Sequence, residues 1–190
     1  MTSEHARWIL GGGLASGKSQ VRKLLADAGV STIDADSIGH EVLEPDGAAF
    51  REVAATWPQV VVTGRVDRAA LAAIVFNDQS QLTRLEKVTH PHIGAEIVRL
   101  AGRRPLPVVV EVPILRLSFG DGWNRIVVDS TDETKLARAG ARGMSRSDAE
   151  ARIASQPSRA QWLATADLVI PNHGTLADLE EAVAQAIPYL

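Results

Sequence analysis

The sequence predicts an α/β fold, a parallel sheet flanked by helices with a helical segment inserted into it. Three observations carry that prediction. Short apolar, β-branched runs alternate with longer stretches of helical periodicity, as strands joined by crossover helices do. The runs are almost continuously apolar, which suits strands covered on both faces. One pair of runs is separated by about 70 residues, far more than a plain crossover needs.

The first strand is placed at Trp8–Gly11 and is followed at once by Gly12-Gly13-Leu14-Ala15-Ser16-Gly17-Lys18-Ser19. This is the G-x-x-x-x-G-K-S spacing in a strand–loop–helix setting, a phosphate-binding loop. Inward-facing amides and the helix N-terminus attract phosphate oxygens there, and glycine lets the backbone approach them. Gly13 to Gln20 therefore form the predicted nucleotide contact, with Lys18 reaching the β- and γ-phosphates and Ser19 ligating Mg²⁺. The following helix runs from about Lys18 to Ala28 and ends on Gly29, a natural left-handed stop.

The second strand is Ser31–Asp34. Residues 37–104 then read as a helical lobe, with helices over 68–76, 81–88 and 91–100. Pro91 suits the first position of the last of these. Pro105-Leu106-Pro107 returns the chain to the sheet. The remaining strands are Val108–Val112, Arg125–Asp129 and Leu168–Ile170. Ser130-x-x-Glu133, Ser145-x-x-Asp148 and Thr175-x-x-Asp178 read as capping boxes that open three helices.

Composition bounds the function. The 190 residues suit one domain, 1–190, and 45% hydrophobic residues suffice for a core. A net charge of -3 argues against a general nucleic-acid binder. The absence of cysteine excludes disulfides, thiolate metal sites and cysteine nucleophiles. Met1 to Arg7 is polar and no segment approaches the length of a membrane span, so a soluble, cytoplasmic protein is expected. A monomer or weak oligomer acting on small molecules is the expected form.

Asp34-Ala35-Asp36 ends the second strand at the edge where parallel sheets bind ligands. Asp34 there can take the proton of an acceptor hydroxyl. Asp36 is expected to diverge from Asp34, leaving one of the two to point at the chemistry, and Asp36 also suits a helix cap. Between Lys135 and Arg159 stand six basic and two acidic residues, a local excess in an acidic chain. Arg138 and Arg142 share a helix face beside Gly140 and Gly143, so they suit either a mobile lid over ATP or a solvated face. His90-Pro91-His92 lacks a third ligand at sensible spacing, which argues against zinc. Asn172-His173-Gly174-Thr175 at the same edge suits a base contact or a plain turn.

Several segments together resemble dephospho-coenzyme A kinase. They are Gly12–Ser19, Asp34-Ala35-Asp36, Gly64 with Arg68-x-x-Leu71, Thr89 to Ile93, Glu111 to Leu115, Ala141 to Ser145, and Gln156 through Thr175. They span nearly the whole chain in the family's order. The resemblance implies a P-loop kinase core with a five-stranded parallel sheet, and ATP-dependent phosphorylation of the 3′-hydroxyl of dephospho-CoA. It implies Asp34 as base, Lys18 and Arg142 as catalytic cations, and Ser19 as the metal ligand. Residues 138–152 become the lid, with Arg138, Asn172 and Gly174 on the adenine side. The 37–104 insert becomes the acceptor lobe, and Asp36, His40, His90, Pro113 and Leu115 line the acceptor side. Two positions depart from the family. Ala15 replaces a usual glycine, at little cost if the position needs no positive φ. Arg116-Leu117 replaces an apolar–glutamate pair, which bears on acceptor binding. A small-acceptor P-loop kinase and a non-catalytic nucleotide-binding module are the rival readings.

Overall fold

The computed structural model describes residues 6–115 and 119–190. In chain order the elements run β1 (Arg7–Gly11), α1 (Lys18–Asp27), β2 (Ser31–Asp34), α2 (Ala35–Glu41), α3 (Phe50–Thr56), β3 (Val61–Val62), β4 (Arg65–Val66), α4 (Arg68–Phe76), α5 (Gln79–Ala101), β5 (Val108–Glu111), β6 (Asn124–Asp129), α6 (Asp132–Ala141), α7 (Arg146–Ala154), α8 (Arg159–Leu163), β7 (Leu168–Pro171) and α9 (Leu176–Ala186). They fall into two compact units, one holding residues 6–34, 103–115 and 120–190, the other residues 35–102 and 119.

The first unit is an α/β sandwich around a five-stranded parallel sheet in the order β2-β5-β1-β6-β7. Apolar residues on one face of the sheet, among them Leu10, Val109, Ile126 and Ile170, pack with Val21 and Leu25 of α1 and Leu179 and Val183 of α9. Ile9, Val108, Val110 and Val127 are buried as well, so both faces are covered. Fully burying residues such as Leu10 or Ile126 contributes roughly 2 kcal/mol each. Gly11, Asp34, Glu111, Asp129 and Pro171 end their strands along one edge, because parallel strands share a direction.

The helix stops and starts follow local chemistry, with one correction. Gly29 ends α1 at φ 86°, and Ser145 and Thr175 cap α7 and α9 through their hydroxyls. The cap of α6 is Thr131, whose hydroxyl accepts from the Thr134 amide, and not Ser130. Ser130 is 1% exposed and spends its hydroxyl inside the molecule, donating to the Asn172 carbonyl at 2.6 Å.

The second unit corrects three expectations. β2 stops at Asp34 and α2 begins at Ala35, so Asp36 lies in a helical first turn, beyond the strand that holds Asp34 and inside the helix, not at its cap. Residues 79–101 form a single helix with Pro91 inside it, rather than two helices with Pro91 at a start. A proline there removes one backbone hydrogen bond and costs about 3 kcal/mol. Val88, Thr89, Ile97 and Ala101, buried on both sides of it, hold the helix continuous. The segment is also not wholly helical. β3 and β4 form a short hairpin whose turn residues Thr63 and Gly64 have φ 49° and 78°, the positive pair of a type I′ turn.

Candidate active site

The phosphate loop leaves the end of β1 with Gly12 at φ 148° and enters α1 through Gly17 at φ 102°. A Cβ on Gly17 would lie 2.2 Å from the Asn172 amide nitrogen, so that position admits no side chain. Ala15 has φ 53°, so the condition under which alanine would cost little is not met. Alanine held in that region carries about 1–2 kcal/mol of strain that a glycine would not. Lys18 folds back over the loop and its ammonium donates to the carbonyls of Gly12 at 2.9 Å and Gly13 at 3.0 Å. The Leu14 amide donates to Gln156 Oε1 at 2.7 Å, which ties the loop to the chain beyond α7.

From Ser19 a line of hydrogen bonds reaches Asp34. The Ser19 hydroxyl donates to Glu111 Oε1 at 2.7 Å. Arg22, one turn further along α1, donates from Nε to Glu111 Oε2 at 2.7 Å and from a terminal nitrogen to Asp34 Oδ2 at 3.2 Å. Asp34 and Glu111 are register partners on β2 and β5, so their carboxylates leave the sheet side by side. Glu111 is 8% exposed; it ends an otherwise wholly apolar strand.

The Asn172 side chain is spent inside the protein. Its Nδ2 donates to the Ser16 carbonyl at 2.7 Å, and its Oδ1 accepts from Arg138 at 2.8 Å. Its backbone amide donates to the Asp129 carbonyl, and its own carbonyl accepts from Ser130 and Arg138. Through these bonds Asn172 braces the phosphate loop. Burial, and then the neighbouring Arg142 charge, push the Arg138 pKa below its ordinary value. Arg142 sits just past the end of α6 and is exposed. Gly17, Gln20, Arg138, Arg142, Asn172 and Gly174 line a cavity of about 400 Å³. A cradle of amides, a loop lysine, an adjoining cation-lined cavity and a carboxylate at the sheet edge form the equipment of a phosphoryl transferase.

A family model for dephospho-CoA kinase matches residues 8–178. The chain belongs to the dephospho-CoA kinase family. A dephospho-CoA kinase from Thermobifida fusca is 41% identical over 183 residues, covering 93% of this chain and 92% of that protein. One from Geobacter sulfurreducens is 39% identical over 186 residues, covering 93% and 94%. The solved dephospho-CoA kinase from Campylobacter jejuni superposes with a TM-score of 0.72 at 26% identity, covering 96% of each chain. A shikimate kinase from Bacteroides thetaiotaomicron shares the fold, with a TM-score of 0.56 at 14% identity over 97% of this chain and 98% of that one. The protein is thus a P-loop kinase, an ATP-dependent phosphotransferase.

Asp36 and His40 are exposed in the first and last turns of α2, and His90 is half-buried in the middle of α5. All three belong to the second unit. Pro113 is exposed and Leu115 half-buried just after β5, where the Leu115 carbonyl accepts from Arg125 at 3.4 Å. Arg116 and Leu117 lie outside the described residues, and so does the polar stretch before Ala6.

Sequence reasoning missed Arg22, Glu111 and Gln156 as parts of the kinase site. A carboxylate ending a strand of valines was the available signal for Glu111; Arg22 carried only its helical spacing from Ser19. It also missed an ionic group centred on the buried Asp129. Asp129 accepts two hydrogen bonds from Arg159, both at 2.6 Å, and lies 3.3 Å from His173 Nε2. Those Arg159 hydrogen bonds hold the Asp129 carboxyl below its usual range, against the opposing effect of burial. Lys135, 5% exposed, pairs with Asp132 at 3.0 Å close to Gly13.

No group of three His, Asp or Glu side chains among the described residues is arranged to hold a metal. Mg²⁺ bound through substrate phosphates and water needs only one or two protein oxygens. The Ser19 hydroxyl with the Glu111 carboxylate beside it is a hard oxygen set that fits that ion.

Proposed function

We propose that this kinase transfers the γ-phosphoryl group of ATP to the 3′-hydroxyl of dephospho-CoA, giving coenzyme A and ADP. The observation that carries the reading is the link from Ser19 of the phosphate loop, through Glu111 and Arg22, to the Asp34 carboxylate. That link supports the reading because it ties a carboxylate suited to accept a proton to the phosphate loop at the ligand edge of the sheet.

The loop amides from Gly13 to Gln20 receive the phosphates. Lys18 exchanges its two carbonyl contacts for the β- and γ-oxygens. Ser19 holds Mg²⁺, which when bound neutralises charge on the β- and γ-phosphates. The adenosine occupies the cavity between Gly17, Gln20, Arg138, Arg142 and Gly174. The acceptor oxygen forms its bond to the γ-phosphorus as the bond to the β–γ bridging oxygen breaks, and the hydroxyl proton passes to Asp34. Residues 138–152 act as a lid that brings the Arg142 charge onto the transferring group. Residues 37–104 form the acceptor lobe, with Asp36, His40 and His90 contacting dephospho-CoA. The enzyme meets both substrates in the cytoplasm.

ADP release measured with ATP, Mg²⁺ and a panel of acceptors tests the reading. Release that depends on dephospho-CoA is the expected result. Preference for a small alcohol such as shikimate or a nucleoside overturns the acceptor assignment. ATP binding with no transfer to any acceptor overturns catalysis.

A further inference from the structure

We infer that Arg22 is a positioning residue for phosphoryl transfer, holding the Asp34 and Glu111 carboxylates in one fixed arrangement. The inference rests on the reading of Asp34 as the group that takes the acceptor proton.

The register supplies the reason such a residue is needed. Asp34 and Glu111 are Cα partners on adjacent parallel strands, which lie about 4.8 Å apart. Two like charges side by side on one edge repel each other, and Glu111 is largely out of water. A cation shared between them removes the repulsion and gives each carboxylate a directed donor. Arg22 meets that requirement from α1, where its place three residues after Ser19 puts it on the helix face that carries the loop hydroxyl.

The guanidinium suits the task in a way an ammonium does not. Its planar fork presents Nε and a terminal nitrogen at a fixed angle, one on Glu111 Oε2 and the other on Asp34 Oδ2. Asp34 Oδ2 is thereby engaged, which sets the plane of the carboxylate that meets the acceptor. Glu111 in turn holds the Ser19 hydroxyl, so one side chain orients both the proton acceptor and the loop's metal-binding oxygen. Arg22 acts through these groups and touches no reacting atom. Its side chain is 29% exposed, which leaves it within reach of a small cation from solvent.

The test uses the full-length protein with ATP, Mg²⁺ and dephospho-CoA. Arg22→Ala is expected to lower kcat on the order of 10²-fold, the scale of misplacing a reacting group, with KM for ATP little changed. Methylguanidinium ion added to Arg22→Ala is expected to restore part of the lost kcat and to leave the wild type unaffected. Arg22→Lys keeps the charge without the fork and should recover only a minor part of the rate. Should Arg22→Ala not fold, Arg22→Lys carries the test through the same kcat-against-KM split. Unchanged kcat in the folded variant overturns the inference. So does a loss that methylguanidinium does not relieve and that parallels a loss of ATP binding. A wild type inactive on dephospho-CoA overturns both this inference and the proposed function. An active wild type with an equally active variant overturns this inference alone.

Discussion

Asn172 braces Ser16: its side-chain amide donates to the Ser16 carbonyl at 2.7 Å, and both residues are buried. The bond spans 156 positions of sequence and ties the turn after β7 to the middle of the phosphate loop. Arg138 closes the arrangement by donating to Asn172 Oδ1. The loop's shape is therefore set from outside as well as by its glycines.

Asn172→Ala takes the shortest of three hydrogen bonds from the buried Ser16 carbonyl, leaving the longer ones from Ser130 and Arg138, and removes the acceptor of an Arg138 terminal nitrogen. An unsatisfied buried group costs about 1–3 kcal/mol. Urea unfolding should show a loss of about 2 kcal/mol, and KM for ATP should rise as the loop relaxes. A variant with wild-type stability and ATP affinity would remove the brace from the account.

Asp34→Asn keeps the size of the side chain and a contact surface for Arg22, while the proton acceptor is gone. General base catalysis contributes typically 10²–10⁴-fold, so kcat should fall on the order of 10²–10³-fold. ATP binding, followed by titration with a fluorescent nucleotide, should stay near the wild-type value. Near-normal turnover would take Asp34 out of its assigned role.

Ala15→Gly relieves backbone strain at φ 53°. The gain of about 1–2 kcal/mol is offset by the larger entropy of glycine in the unfolded chain, about 0.4–1 kcal/mol. A net rise in stability of between about 0 and 1.6 kcal/mol is expected, read from the urea midpoint. A fall in stability would mean that the alanine methyl packs more favourably than its backbone is strained.

Arg159→Gln should change the acid limb of stability. The Asp129 carboxyl is held low in the folded state by Arg159, so its stabilisation is fully present above the ordinary carboxylate pKa of about 3.9. It is lost as pH falls through the lower folded-state value. Removing Arg159 takes away the largest lowering influence and leaves burial, which acts in the opposite direction, against the smaller effects of His173 and Lys135. The midpoint of acid unfolding, followed by circular dichroism, should therefore move to higher pH. An unmoved midpoint would show that the pair contributes nothing to acid stability.

The strands were legible because burial on both faces demands unbroken apolar runs; Val108, Val109 and Val110 are all fully buried. The phosphate loop was legible for another reason: its function is carried by consecutive backbone amides, which local sequence spells out. The α6 cap was misread because Ser130 and Thr131 are both competent caps, and only the inward turn of Ser130 toward Asn172 decides between them. The long α5 was misread because local propensity halts at Pro91, whereas packing on both sides of it carries the helix through. The hairpin at Val61–Val66 escaped notice because two-residue strands have no periodicity to detect.

By itself the sequence determined the sheet, the phosphate loop and the family, all written in neighbouring residues or in their order along the chain. Tertiary structure alone decided which side chains meet. Arg22 and Glu111 are 89 positions apart, and Arg138 and Asn172 are 34 apart. Charge pairing and hydrogen bonding act over a few ångströms of space, and distance along the chain says nothing about that separation until the strands are in register.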